Sequence, residues 1–303
     1  MSTPAGTPAQ SRVWFITGAS RGLGRQWAVA ALDRGDRVAA TARDTAALTD
    51  LAGRYGDAFA PVTLDVTDRA ACFAAVETAH DRFGHLDVVV NNAGYGQYGF
   101  VEELSEAEAR AQMDTNFFGP LWVTQAALPY LRDRRGGHII EVSSIGGVLA
   151  FPNLGIYHAS KWALEGMTQA LAGEVEPFGI RVTLVEPGGF DTDWITAAPH
   201  TRPLAAYESQ RAQFESARRE RRVDLGRPEA ARTALLAIVD AADPPRRVFL
   251  GRHAFDWAAT EYAGRLAEWE RWQPLAVAAH GDDQDTTMDG MVPRGAFEAN
   301  PEK

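Results

Sequence analysis

Apolar residues gather in short runs that recur along the chain: Val13–Thr17, Arg37–Ala42, Ala60–Asp65, Leu86–Asn91, Gly137–Ser143, Ile180–Glu186 and Arg246–Leu250. Their length and β-branched content predict strands. Val88-Val89-Val90 and Ile139-Ile140 are apolar at consecutive positions, which suits strands covered on both faces and therefore a mostly parallel sheet. Between the runs, Thr67–Phe83 and Ser105–Arg132 space their apolar residues at helical intervals. Asp68 and Ser105 stand where N-caps belong, and Glu108, three residues after Ser105, completes a capping box. Strands alternating with helices predict repeated βαβ units, hence an α/β fold with a doubly wound parallel sheet of about seven strands and helices on both faces.

Two stretches break this rhythm. Gly188–Arg227 is long and mixed, and carries Trp194, Ile195, Leu204, Tyr207 and Phe214 beside charged residues; Gly281–Lys303 is polar and rich in Gly and Asp. The layout expected is a disordered segment 1–12, one domain over 13–275 and a flexible tail over 276–303. The net charge of -10 disfavours nucleic acid and anionic lipid as partners. Arg218–Arg222 is interrupted by Glu220 and flanked by Glu215 and Asp224, so it reads as a solvated helix face. Cys72, the sole cysteine, leaves no internal disulfide and no thiolate metal cluster, and reads as a small buried hydrophobe. His138 and His158 lie in no metal-ligand pattern, so no metal site is expected. Trp257, Tyr262, Trp269 and Trp272 follow helical spacing and suit packing or subunit contact. No signal peptide and no membrane span is expected, and the compartment expected is a reducing cytoplasm.

Candidate chemistry begins where the first run ends. Thr17-Gly18-Ala19-Ser20-Arg21-Gly22-Leu23-Gly24 leads straight into a helical stretch. Glycines at a strand-to-helix junction let the backbone turn sharply and let a pyrophosphate approach the free N–H groups of the helix. The second run ends Ala42-Arg43, where an acidic residue would repel a ribose 2′-phosphate and arginine would clasp it. With Arg21 in the loop as a second positive charge, NADP(H) is preferred over NAD(H), against the alternative of two solvated surface arginines. Farther along, Tyr157 and Lys161 are four residues apart in a helical stretch and so share one face. A phenol is too weak an acid for neutral pH unless an ammonium lowers its pKa. Thirteen residues before the tyrosine, Ser144 follows the Gly137–Ser143 run, at the carboxyl end of a parallel strand where such sheets bind ligands.

The spacing Thr-Gly-x-x-x-Gly-x-Gly, followed in order by Asn91-Asn92-Ala93-Gly94, Asn116, Ser144, Tyr157-x-x-x-Lys161 and Pro187-Gly188-x-x-x-Thr192, resembles the short-chain dehydrogenase/reductase family in its compact, single-domain branch. The resemblance covers roughly 13–250. It implies strand order 3-2-1-4-5-6-7 and a reaction that moves a hydride between a nicotinamide and a carbonyl or alcohol. In that scheme Ser144 and Tyr157 hydrogen-bond the substrate oxygen and Tyr157 exchanges the proton. Lys161 acidifies the phenol and anchors the nicotinamide ribose, and Asn116 holds a water linked to the lysine. Cofactor contacts would come from Thr17, Gly18, Ser20, Arg21, Gly22, Leu23, Gly24, Arg43, Asp65, Val66, Asn92, Ala93, Gly94, Pro187, Gly188 and Thr192. Asp65 is placed near the adenine, with turn capping as its alternative, and Asn91 is either a support for the sheet or a polar turn. The roof segment 188–227 suggests a bulky, partly apolar substrate. Relatives imply a homodimer or homotetramer. A redox sensor that binds NADP(H) without turnover is the competing class, and a sugar epimerase is disfavoured by the glycine spacing.

Overall fold

The computed structural model describes residues 11–194, 197–221 and 224–281. Seven strands form one parallel sheet: β1 (Val13–Ile16), β2 (Arg37–Ala42), β3 (Phe59–Thr63), β4 (Val88–Asn91), β5 (Gly137–Val142), β6 (Ile180–Pro187) and β7 (Arg247–Leu250). Their order is β3-β2-β1-β4-β5-β6-β7, as the resemblance implied. The helices are α1 (Gly22–Asp33), α2 (Thr49–Tyr55), α3 (Arg69–Phe83), α4 (Glu106–Met113), α5 (Gly119–Arg134), α6 (Gly155–Val175), α7 (Glu208–Arg221), α8 (Ala231–Asp240) and α9 (Ala254–Ala278).

Consecutive apolar residues are buried because successive side chains of a strand point to opposite faces. Trp14 and Ile16 of β1 join one core with α1 and α8, whereas Val13 and Phe15 join the other with α3 and α5. Strand order reverses at β1, whose neighbours are β2 and β4, so a crevice opens beyond the carboxyl ends of β1 and β4. Both expected caps form: Asp68 accepts from the Ala71 N–H, and Ser105 and Glu108 make a reciprocal box.

Three expectations need amendment. The stretch 105–132 is two helices, because a π-helical turn, Asp114–Phe118, separates α4 from α5. At the amino end, the Arg12 N–H donates to Asp36 Oδ1 at 3.0 Å, so order begins before residue 13. At the other end, α9 runs to Ala278, past the expected start of the tail. Residues 1–254 form one compact unit and residues 255–303 a second. Of the second, the structure describes α9, which carries all four aromatic residues of the C-terminal series and pairs Arg265 with Glu261. Ile195 and Arg222, and the tail from 282 onward, lie outside the described residues. Among the described residues no helix is long and apolar enough to cross a membrane, and no group of His, Cys, Asp and Glu is arranged to hold a metal.

Candidate active site

The glycine turn is clamped to the end of β4 by the side chains of Thr17 and Asn92. The Thr17 hydroxyl accepts from the N–H groups of Asn92 and Ala93 at 2.9 and 3.0 Å. In return the Asn92 amide donates to the carbonyls of Thr17 and Gly18. Gly18 and Gly22 take positive φ, 64° and 57°, which side-chain-bearing residues resist. A Cβ on Gly18 would stand 2.8 Å from Ala93 Cα, and one on Gly24 would stand 2.7 Å from the Gly18 carbonyl oxygen. No side chain caps the first turn of α1, so its N–H groups remain for an external acceptor. Backbone space kept clear of side chains, beside an uncapped helix terminus, fits a pyrophosphate. Thr192 packs beside Gly22, joining the Pro187-Gly188 segment after β6 to the same cradle. Leu23 turns into the core and anchors the loop, while Ser20 stays half-exposed.

Around this cradle the expected cofactor residues differ in setting. Arg43 is exposed at the end of β2 and makes no ion pair among the described residues. Arg21, also exposed, lies 3.9 Å from Asp193. Asp65 does what its alternative reading held: one carboxylate oxygen accepts from the Thr67 N–H and hydroxyl and caps the turn before α3. Its neighbour Val66 is buried. Asn91 is no mere polar turn, because its amide bridges the Thr124 hydroxyl at 2.9 Å and Glu141 Oε1 at 2.8 Å inside the core.

Helix α6 brings Tyr157 and Lys161 to the same face, both buried, beneath the turn that Ser144 opens. The Ser144 hydroxyl accepts from the Gly146 N–H at 2.9 Å and fixes that turn. His158 braces it from behind: Nε2 accepts from the Phe151 N–H at 2.9 Å, which leaves Nδ1 to donate to the Gly146 carbonyl at 2.8 Å. Both histidines are structural. His138, on β5, meets the Thr183 hydroxyl at 2.9 Å, and burial pulls its pKa down to about 4. The lone thiol, Cys72, is buried, and that burial pushes it up to about 12.

The phenol's electrostatics depart from the expectation of an ammonium acidifying it. Trp194 meets the Tyr157 ring edge-on at 5.1 Å, and Tyr98, Leu154 and Phe214 complete an aromatic and aliphatic box around it. Burial pushes Tyr157 up to about 12, the Ser144 hydroxyl pulling partly the other way. Lys161 instead donates to the Val142 carbonyl at 2.8 Å, and burial draws it down to about 8 against the carboxylates of Glu141 and Glu165. Asn116 sits in the π-helical turn, fully buried. Its Oδ1 accepts from the Tyr95 N–H, and its amide donates to the Tyr95 carbonyl and the Ser160 hydroxyl at 2.9 and 3.1 Å. Gly94 passes close to both Asn116 Oδ1 and Lys161 Nζ.

Several residues at this site were not singled out from the sequence. Glu141 had a signal, a carboxylate inside an apolar strand, and so did Glu165, one turn beyond Lys161. Gln112 had none; it is fully buried and ties the Tyr95–Gln97 backbone to α4. Gly96 had none either, yet a Cβ there would overlap the Trp194 indole. The roof helix α7 is held by an Arg211–Glu103 ion pair, and the turn before it by Tyr207 stacking on Phe100 at 4.9 Å. Leu204, expected in the roof lining, is exposed.

Comparison with known proteins agrees with this geometry. Residues 12–203 match the family model described as short chain dehydrogenase. The chain is 39% identical over 277 residues to the oxidoreductase BOA17 of Botryotinia fuckeliana, covering 89% of this chain and 99% of that one. A short-chain dehydrogenase from Streptomyces avermitilis of known structure superposes with a TM-score of 0.83 at 37% identity, covering 89% of this chain and all of that one. A short chain dehydrogenase from Burkholderia cenocepacia, solved in complex with NADP, is 31% identical with a TM-score of 0.69, covering 86% of this chain and 97% of that one.

Proposed function

Because this chain belongs to the short-chain dehydrogenase/reductase family and is an NAD(P)-dependent oxidoreductase, we propose that it interconverts a bulky, partly apolar ketone or aldehyde and its alcohol, with NADP(H) preferred. The observation that carries this reading is the Tyr157–Lys161 pair on one face of α6, beneath Ser144, with Tyr157 facing the box of Tyr98, Trp194 and Phe214. An apolar substrate body would take the place of the aromatic contacts around the phenol, and its oxygen would meet Ser144 and Tyr157. The nicotinamide, when bound, supplies or accepts the hydride. Thr17, Gly18, Ser20, Arg21, Gly22, Leu23 and Gly24 would hold its pyrophosphate, with Asn92, Ala93, Gly94, Pro187, Gly188 and Thr192 beside them.

Proton handling falls to the protein. Tyr157 gives a proton to the nascent alkoxide or takes one from the alcohol, Ser144 fixes the oxygen, and the Lys161 ammonium one turn away would work against the burial that raises the phenol. Asn116 holds the Tyr95 backbone and Ser160, and so sets the height of α6 against the sheet. The exposed, unpaired Arg43, with Arg21 across the cradle, supports a 2′-phosphate, and the NADP complex of the Burkholderia cenocepacia relative supports it further. Exposed Phe118 and Trp162, on the Asn116 turn and on α6, suit subunit contact in a homodimer or homotetramer, and the single buried thiol suits a reducing cytoplasm.

The test mixes the protein with NADPH or NADH and a panel of aromatic, alicyclic and long-chain ketones. NADPH oxidation that disappears in Tyr157→Phe is expected, as is a roughly tenfold weaker hold on NADPH, and not on NADH, in Arg43→Ala. Tight NADPH binding with no turnover of any carbonyl would support the sensor in its place.

A further inference from the structure

Beneath α6 lies a second group of ionisable residues that the proposed chemistry leaves unused. Glu165 follows Lys161 by one helical turn and is 7% exposed; Glu186, on β6, is 1% exposed. Both approach a single guanidinium, that of Arg247 on β7, whose Nε stands 3.2 Å from Glu165 Oε2 and 3.6 Å from Glu186 Oε1. Arg247 also donates to Gln169 at 2.9 Å and reaches the surface. The buried Ser143 hydroxyl lies beside Glu165. On the other side of Lys161, Glu141 accepts from Asn91 and Thr124 through one oxygen, and its second oxygen has no partner.

We propose that Glu165 is a positioning residue for Lys161: held by Arg247, its carboxylate is the counter-charge that keeps the buried ammonium in place. The arrangement follows from what each acid faces. Those facing Lys161 are Glu141 on β5 and Glu165 on α6; those facing Glu165 are Lys161, Glu186 on β6 and Arg247 on β7. A carboxylate beside a guanidinium keeps its charge more readily than one held by neutral donors alone. Glu165 has such a neighbour, while Glu141 has an amide and a hydroxyl. Glu186 competes with Glu165 for Arg247, so the two do not both ionise fully: two like charges around one guanidinium in a dry site leave one carboxyl holding a proton. Burial raises both acids, but the guanidinium stands nearer Glu165, at 3.2 Å against 3.6 Å, so Glu165 keeps its charge and Glu186, pushed up to about 8, holds the proton.

Lys161 and Lys303 are the two lysines of the chain, so the ammonium can be followed directly. In full-length protein labelled with 13C at lysine Cε, the buried resonance reports the Lys161 titration without substrate. This separates the inference from the reading of Tyr157 and Lys161 as catalytic, which Tyr157→Phe tests by turnover. Glu165→Gln is expected to lower the Lys161 midpoint by about one pH unit, and Glu186→Gln, which frees Arg247 for Glu165, to hold or raise it. If Glu165→Gln does not fold, Glu165→Asp, which keeps the charge but retracts it by one methylene, gives a smaller shift of the same sign. An unmoved midpoint in Glu165→Gln overturns the proposal, as does an equal fall in Glu186→Gln or a shift found only in Glu141→Gln.

Discussion

The two ends of the buried face of α6 solve opposite problems. Around Tyr157 the neighbours are aromatic and aliphatic, and the ring is shut away from water by Trp194, Tyr98 and Leu154. Around Lys161 and Glu165, one and two turns later, the neighbours are two more buried acids, Glu141 and Glu186, a guanidinium and an amide. Dryness at the first end stabilises the neutral phenol, while the second end supplies charges that a dry interior would otherwise expel. A buried ionisable side chain can therefore be poised by what is kept away from it or by what is placed beside it. This helix does both within three turns.

The largest effect that separates the two ends comes from removing each reactive group in turn. Tyr157→Phe and Lys161→Met are both expected to cut turnover by about 10² to 10⁴-fold. Their stabilities should differ. Tyr157→Phe deletes one hydroxyl from an aromatic box and should melt near the parent, whereas Lys161→Met leaves Glu165 without its ammonium and the Val142 carbonyl without its donor, and should cost about 3 kcal/mol. Thermal melting of both variants at pH 7 checks this. Equal melting points would mean that the charges around Lys161 do not depend on it.

The fold was legible in the sequence almost to the residue, and the reason is periodicity. Consecutive apolar positions such as Val88-Val89-Val90 admit little besides a strand buried on both faces, and the glycines of 18–24 mark a turn that other residues resist. The site was legible where chemistry follows local spacing: Tyr157 and Lys161 fall on one face because four residues make a helical turn. Long-range contacts were not. Neither Gly96 against Trp194 nor Arg247 between Glu165 and Glu186 has any sequence proximity to reveal it. The expectation that Lys161 acidifies Tyr157 missed the dominant influence, since burial depends on what covers the ring, and its cover comes from residues 98 and 194.

A middling effect concerns pH and stability at the charged end. Burial pushes Glu141 and Glu186 up to about 8 from ordinary values near 4.5. The folded protein thus binds more protons than the unfolded chain between those values, so stability falls as pH rises through this window. His138, drawn down to about 4 from 6.5, acts in the opposite sense: the folded state binds fewer protons over that range, and stability rises with pH up to about 6.5. The melting temperature should therefore decline from about pH 6.5 to 8, above which Lys161, drawn down to about 8 from 10.5, acts in the opposite sense. Glu141→Gln, which keeps the shape and cannot ionise, should flatten that decline by several degrees. A melting temperature that rises steadily from pH 6.5 to 8 would show that both acids are ionised throughout.

The smallest effect probes the dry end. Trp194 is half-buried, and the backbone of Gly96 leaves room for its indole to lie over Tyr157. Trp194→Ala takes away part of the cover without touching a hydrogen bond of the catalytic group, so water gains access to the phenol and its pKa should fall from about 12 toward the ordinary 10. For ketone reduction the protonated phenol is the reactive form, and the alkaline limb should move to lower pH by about one unit. Catalytic efficiency with large apolar ketones should drop a few-fold, as apolar contact is lost, while small ketones change less. The two ends then give different signatures: Trp194→Ala moves the limb and leaves the Lys161 resonance where it was, whereas Glu165→Gln moves the Lys161 resonance. If Trp194→Ala displaced the lysine midpoint as well, cover and charge would be one coupled system, and the division of the helix into a dry end and a charged end would fail.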